Sequence, residues 1–315
     1  MSFIFLIIGF VFLIKGADLF VEGASSIAKK FNVPAMVIGL TVVAMGTSAP
    51  EAAVSITSSL AGQNDMSVAN VVGSNFFNIL VVLGVSSIIA TLPVEKNTIK
   101  KDTPFLLIVS GLLLLFGINL RISRVEGLIF LGLFIYFLIN TVKNAKNNAL
   151  DGEEEAAITA EVENVVEFSV PKTILLSVIG IVGIILGGDM VVDSATKIAT
   201  TLGMSANLVG LTIVAVGTSL PEFVTSIVAI RKGETEIAIG NVIGSNVFNI
   251  LLVLGLATSI KPITISMFAL FDIVFMVLVT ILLYLFMKKN NSLVRKQGII
   301  LVAIYIVYMV YTIIR

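Results

Sequence analysis

The chain has 315 residues, no net charge at neutral pH, and neither cysteine nor histidine. Disulfides, thiolate or imidazole metal sites, Ser-His-Asp triads and Cys-His nucleophiles are therefore excluded, and no bulk charge draws the chain to nucleic acid. Hydrophobic residues make up 57% and charged ones 13%, with mean hydropathy +1.08. A soluble domain carries about 25% charged residues, so this chain has too little polar material to cover a water-facing surface.

Taken in order, apolar runs predict ten membrane spans, near 2–20, 34–60, 66–91, 103–120, 125–142, 171–196, 206–230, 236–258, 264–287 and 296–314. Each can cross about 30 Å of hydrocarbon at about 1.5 Å per residue. The first lacks a basic leading segment, Lys15 being its first basic residue, and has a partner later in the chain; it reads as a retained helix rather than a signal peptide. Fourteen loop lysines and arginines, from Lys29 and Lys30 to Arg295 and Lys296, fall on one side of this layout and five on the other. The positive-inside rule then puts both termini outside the cell.

Sliding the sequence by 171 residues aligns Gly16–Glu51 with Gly187–Glu222 at 17 identities in 36 positions, and Ser67–Val85 with Ala238–Leu256 at 12 in 19. Apolar bias explains matched Val and Leu but not a matched Gly-Thr-Ser-x-Pro-Glu. Five spans per half is an odd number, so the second half enters the membrane from the opposite face. The expected architecture is all-α, with ten transmembrane helices in two inverted five-helix repeats and a site at their interface. The expected units are residues 1–142 (repeated block 39–85), an acidic linker at 143–170, and residues 171–315 (repeated block 210–256). The linker holds seven of the chain's twenty acids, Asp151, Glu153, Glu154, Glu155, Glu161, Glu163 and Glu167. It reads as a solvated segment and lacks the ligand spacing of an EF-hand loop.

Span 2 carries Ala44-Met45-Gly46-Thr47-Ser48-Ala49-Pro50-Glu51. A glutamate in mid-membrane costs about 2.5–3.5 kcal/mol on insertion scales, which makes it a functional candidate. Pro50 removes a backbone donor and clashes with the carbonyl of Gly46, so helix 2 must kink or open there. Such backbone persists in a membrane only when buried in protein or lining a polar cavity. Thr47 and Ser48 share the helix face of Glu51, so one turn gathers a carboxylate, two hydroxyls and freed carbonyls, hard oxygen donors suited to Ca²⁺ and Na⁺. Span 7 repeats the set with Ala215, Gly217, Thr218, Ser219, Pro221 and Glu222, so helices 2 and 7 are both expected to be broken at the midplane. Ser74 and Asn78, with Ser245 and Asn249, add uncharged oxygen ligands from the second block. A satisfied glutamate in a kinked helix would explain one such motif, but not two at inverted positions. The glycines of the second block also serve close helix packing, with Gly39 and Gly210 upstream, whereas a phosphate loop would need a lysine that is absent. Asp18, Glu22, Asp189 and Asp193 repeat near span ends and read as structural or vestibule residues; Asp272 stays unassigned.

These blocks resemble the two alpha repeats of the sodium/calcium exchanger family, within the cation/calcium exchanger superfamily. The match runs through Gly46–Glu51 and Gly217–Glu222, and through Gly73-Ser74-Asn75 to Asn78 and Gly244-Ser245-Asn246 to Asn249. The resemblance implies a calcium site of Glu51 and Glu222 with the Thr47 and Thr218 carbonyls. It implies one sodium site near Ala44, Thr47, Glu51, Ser74 and Ser219, a second near Ser48, Ala215, Thr218, Glu222 and Ser245, and Asn78 and Asn249 at the midplane. Chain length and the short linker are similar to the prokaryotic branch, implying a multi-pass protein of a prokaryotic plasma membrane. The implied activity is antiport of Ca²⁺ against Na⁺, with both ions as substrates, no cofactor and no enzymatic activity; nothing points to an obligate protein partner. Asn249 stands where potassium-dependent relatives carry Asp, which argues against potassium coupling. Proton-coupled calcium exchange remains the alternative, while a passive channel would need no counter-ion and a two-carboxylate hydrolase would need neither the symmetry nor the kinks.

Overall fold

The computed structural model describes residues 2–31, 33–60, 64–156, 170–203 and 215–314. The first part of the span expected from 206, with Gly210, and linker residues 157–169, with Glu161, Glu163 and Glu167, lie outside the described residues. The rest is helical. Six stretches are long and apolar enough to cross a membrane, with a seventh if the bent pair Ala35–Thr47 and Ala49–Ile56 counts as one.

The first helix, α1 (Ser2–Lys30), is almost wholly apolar over its first twelve residues, with Phe3, Ile7 and Val11 more than half exposed. Its opposite face packs along α9 (Val170–Thr201) through glycines. A Cβ on Gly180 would lie 2.6 Å from the Phe20 nitrogen and 2.8 Å from the Gly16 carbonyl, both backbone atoms, so only hydrogen fits there. Span 2 is broken into α2 (Ala35–Ile38), a π-helical turn Gly39–Val43, α3 (Ala44–Thr47) and α4 (Ala49–Leu60), with a 47° bend at Ser48. The proline two residues later has no N–H to continue the ladder, which accounts for the bend. Span 3 comprises α5 (Asn64–Phe76), a π turn Phe77–Val82 and α6 (Leu83–Ile89).

A two-residue strand β1 (Leu92–Pro93) leads to a π turn, Thr98–Asp102, continuing as α7 (Thr103–Gly117); that turn carries Lys100, Lys101 and Asp102. Strand β2 (Arg121–Ile122) precedes α8 (Arg124–Ala156), started by a capping box in which the Ser123 N–H and hydroxyl donate to Glu126 Oε2 at 2.6 and 2.8 Å. α8 runs fourteen residues beyond 142, so the first part of the linker is helical. Helix propagation from an existing turn adds one hydrogen bond per residue fixed, which lets a membrane helix extend into a charged stretch that would not nucleate alone.

The second half has α10 (Ala215–Gly217), α11 (Leu220–Arg231), α12 (Thr235–Phe248), a π turn Asn249–Leu254, α13 (Gly255–Ile260), β3 (Ile263–Thr264), α14 (Met267–Asn290), β4 (Ser292–Leu293) and α15 (Arg295–Ile314). The strands join the halves: β1 pairs with β4 through Leu92 and Leu293, and β2 with β3 through Arg121 and Thr264, both antiparallel. Every residue of α12 from Ile237 to Phe248 is buried. The large exposed hydrophobic side chains of α1, α8, α9, α14 and α15 are mostly isoleucine, leucine, phenylalanine and valine. An apolar coat of that extent marks a lipid-facing surface.

Candidate cation site

The centre of the bundle is polar. Glu51, at the start of α4, and Glu222, at the start of α11, are both fully buried, as are Thr47, Ser48, Ser219, Ser245, Asn78 and Asn249. Each glutamate follows its break by three residues. Pro50 and Pro221 cannot donate to the carbonyls four residues back, Gly46 and Gly217. Among the described residues no backbone bond runs from Glu51 to the Thr47 carbonyl, or from Glu222 to Thr218. Four carbonyls are thus released from helix bonding on the side where the carboxylates sit.

The hydroxyls reach across the halves. Ser48 Oγ donates to Glu222 Oε1 at 2.8 Å, and Ser219 Oγ donates to Glu51 Oε1 at 3.2 Å. Ser245 Oγ, from the same half as Glu222, lies 3.5 Å from the same Oε1. The second oxygen of each glutamate, Ser74 Oγ, Thr218 Oγ1, Asn78 Oδ1 and Asn249 Oδ1 are buried and make no hydrogen bond. Ala44 packs against Gly244, whose added Cβ would fall 2.8 Å from that of Ala44. Ala215 opens α10.

The asparagines form a second layer. Asn78 Nδ2 donates to Asn246 Oδ1 at 3.3 Å and Asn249 Nδ2 to Asn75 Oδ1 at 3.1 Å. Asn75 and Asn246 thereby orient the two midplane amides, and Asn70 and Asn241 hold the glutamate-bearing turns. Their signal was present in the sequence, since 70 and 241, like 75 and 246, differ by the same 171 positions.

Glu51 and Glu222 are close enough to repel each other. Among the described residues neither forms an ion pair with Lys or Arg; the ion pairs lie elsewhere, Lys232 with Asp18 and Glu22 and Lys29 with Glu234. Asp272 lines a separate cavity of about 150 Å³ between α5, α14 and α15. Two buried carboxylates, paired with no Lys or Arg among the described residues and set among unbonded hard oxygens, form a candidate cation site. With only two acids and no sulfur or imidazole, the donor set suits alkali and alkaline-earth ions rather than transition metals.

A buried oxygen-lined centre within a bundle of apolar, lipid-facing helices is the arrangement of a membrane transporter. The sodium/calcium exchanger protein family model matches residues 1–143 and 172–314, and the chain belongs to that family of multi-pass membrane transporters. It is 32% identical over 342 residues to the sodium/calcium exchanger MaX1 of Methanosarcina acetivorans, covering 98% of each chain. It is 41% identical over 259 residues to the putative antiporter CaxA of Alkalimonas amylolytica, covering 82% of this chain and 81% of that one. The solved sodium-calcium exchanger NCX_Mj, soaked with 10 mM Na⁺ and 10 mM Sr²⁺, superposes with TM-score 0.85 at 34% identity, covering 98% of this chain and 97% of that one.

Proposed function

We propose that the chain is a secondary antiporter exchanging Ca²⁺ for Na⁺ by alternating access, with ten spans in two inverted repeats (1–142 and 171–315) joined by the linker at 143–170. The observation that carries this reading is the pair Glu51 and Glu222, buried, bridged by serines from the opposite half and paired with no cationic side chain. Ca²⁺ takes both carboxylates with the Thr47 and Thr218 carbonyls. Na⁺ takes the flanking sets, Ala44, Thr47, Glu51, Ser74 and Ser219 on one side and Ser48, Ala215, Thr218, Glu222 and Ser245 on the other. Asn78 and Asn249 complete the midplane. Two carboxylates supply about −2, which one Ca²⁺ or a set of Na⁺ neutralises. Simultaneous full occupancy is unfavourable because like charges repel strongly in a low dielectric, and this competition couples the flows. The lysine-rich ends of the helices face the cytoplasm of a prokaryotic cell and both termini face outward, by the loop-charge bias.

The test is radiolabelled Ca²⁺ uptake into proteoliposomes under outward sodium, potassium or proton gradients. Uptake is expected with the sodium gradient alone. Uptake driven by protons would reassign the coupling ion, and uptake indifferent to every gradient would make the protein a channel.

Ser48→Ala and Ser219→Ala each remove a hydroxyl bonded to a buried carboxylate and leave the fold intact. A hydrogen bond to a charged group contributes about 1.5–3 kcal/mol. Each variant is expected to raise the sodium concentration for half-maximal exchange about tenfold or more, measured as sodium-dependent Ca²⁺ efflux. Unchanged sodium dependence in both would remove these hydroxyls from the ion path.

A further inference from the structure

Asn70 and Asn241 stand outside the ion-binding set, and each ties down the glutamate-bearing turn of its own half. Asn70 Nδ2 donates to the Glu51 carbonyl at 3.3 Å and to Ser55 Oγ at 2.9 Å. Asn241 Nδ2 donates to the Glu222 carbonyl at 3.3 Å and to Ser226 Oγ at 3.0 Å. To this point the two halves are alike.

The acceptor end of the amide breaks the symmetry. Thr47 Oγ1, from the opposite half, reaches Asn241 Oδ1 at 3.0 Å, closer than its own helix carbonyls at 3.1 and 3.4 Å. Its counterpart, Thr218 Oγ1, is shielded from solvent and makes no hydrogen bond. Asn241 is fully buried, whereas Asn70 is half-buried. A buried hydroxyl without a partner is unfavourable, so one half of a pseudo-symmetric site is satisfied and the other is not. The satisfied side lies toward the lysine-rich end, where Lys232 also ties the α11–α12 turn to α1. Its Nζ donates to the Asp18 carbonyl at 3.1 Å and sits 3.6 Å from Glu22 Oε2. The position matching Lys232 is Ala61, which has no charge to offer Asp189 or Asp193.

We infer that Asn70 and Asn241 are positioning residues that couple each glutamate to the threonine of the opposite half, one coupling at a time. Asn241 holds Thr47 while the lysine-rich end is shut. Asn70 holds Thr218 when the opposite end is shut, and the exchange of one bond for the other accompanies the change of access. This rests on the alternating-access reading above, and it goes beyond ion ligation because neither amide contacts an assigned carboxylate or hydroxyl of its own half.

The absence of native cysteine allows a direct test. Ala229, on α11 toward the lysine-rich end, is fully buried; an Ala229→Cys reporter is alkylated when that end opens. Thr47→Val, which keeps the carbonyl and the shape, and Asn241→Leu are each expected to raise the alkylation rate about tenfold, equivalent to about 1.4 kcal/mol in population. Asn70→Leu should leave it unchanged or lower it. The double variant Thr47→Val with Asn241→Leu should be no faster than either alone, since both remove one bond. Unchanged labelling, equal acceleration by Asn70→Leu, or additive effects would overturn the inference. If Asn241→Leu does not fold, Thr47→Val carries the test. Because labelling needs no particular driving ion, the asymmetry would persist if the sodium gradient failed to drive calcium, which separates the two proposals.

Discussion

Replacing either Glu51 or Glu222 with glutamine is expected to abolish calcium exchange. The substitution keeps shape and hydrogen-bonding capacity and removes one negative charge from a fully buried position. At an effective dielectric of about 20, unit charges 4 Å apart interact by about 4 kcal/mol, and a divalent ion doubles that. Even half of the divalent figure corresponds to roughly a thousandfold in affinity. Uptake of radiolabelled Ca²⁺ should fall to the level of empty liposomes in both variants, while size-exclusion profiles stay those of the parent. Removing the charge also relieves the repulsion between the two acids, so the variants should melt no lower than the ion-free parent. A variant that retained more than about a tenth of the parental rate would show that the carboxylate in question does not hold calcium.

The second large effect is steric. Gly180→Leu should separate α1 from α9 and cost both stability and transport. The added Cβ falls 2.6 Å from a backbone nitrogen of α1 and 2.8 Å from a backbone oxygen, and neither can yield as the end of a flexible side chain would. Overpacking of this kind costs about 1–3 kcal/mol or more. Every contact along the glycine seam, where a Cβ on Gly187 would fall 2.5 Å from the Leu13 nitrogen, would loosen with it. The expected result is a lower melting temperature in detergent and a loss of most exchange activity. Gly132→Ala is the matched control. No atom lies within 4 Å of its added Cβ, and alanine is the better helix former by about 0.5–1 kcal/mol. Equal behaviour of the two variants would mean that the seam does not hold the helices together.

Much of this architecture is local, and so was readable in the sequence. Pro50 and Pro221 break a hydrogen-bond ladder wherever they sit in a helix, and the bend at Ser48 follows. Apolar runs fix the helices, and a glutamate beside each break is costly enough to announce a site. The 171-residue offset even pairs Asn70 with Asn241 and Ser55 with Ser226, whose shared hydrogen-bond pattern was present in the identities before it was seen in space.

Contacts between distant segments were not readable. Ser48 bonds Glu222 and Ser219 bonds Glu51, although each serine lies three residues from the glutamate of its own half. Sequence spacing describes one helix face and is silent on which helix stands opposite it. The helical start of the linker and the π turns at Gly39–Val43, Phe77–Val82 and Asn249–Leu254 likewise have no signature in the apolar pattern.

The sequence by itself determined that the protein is a membrane transporter with a repeated, oxygen-rich site around Glu51 and Glu222. Only the tertiary structure decided which half's threonine is bonded, Thr47 to Asn241 with Thr218 left unbonded. The reason is physical: both halves carry the same asparagine and threonine at matching positions, and which pair bonds exists only as a particular packing of the folded chain.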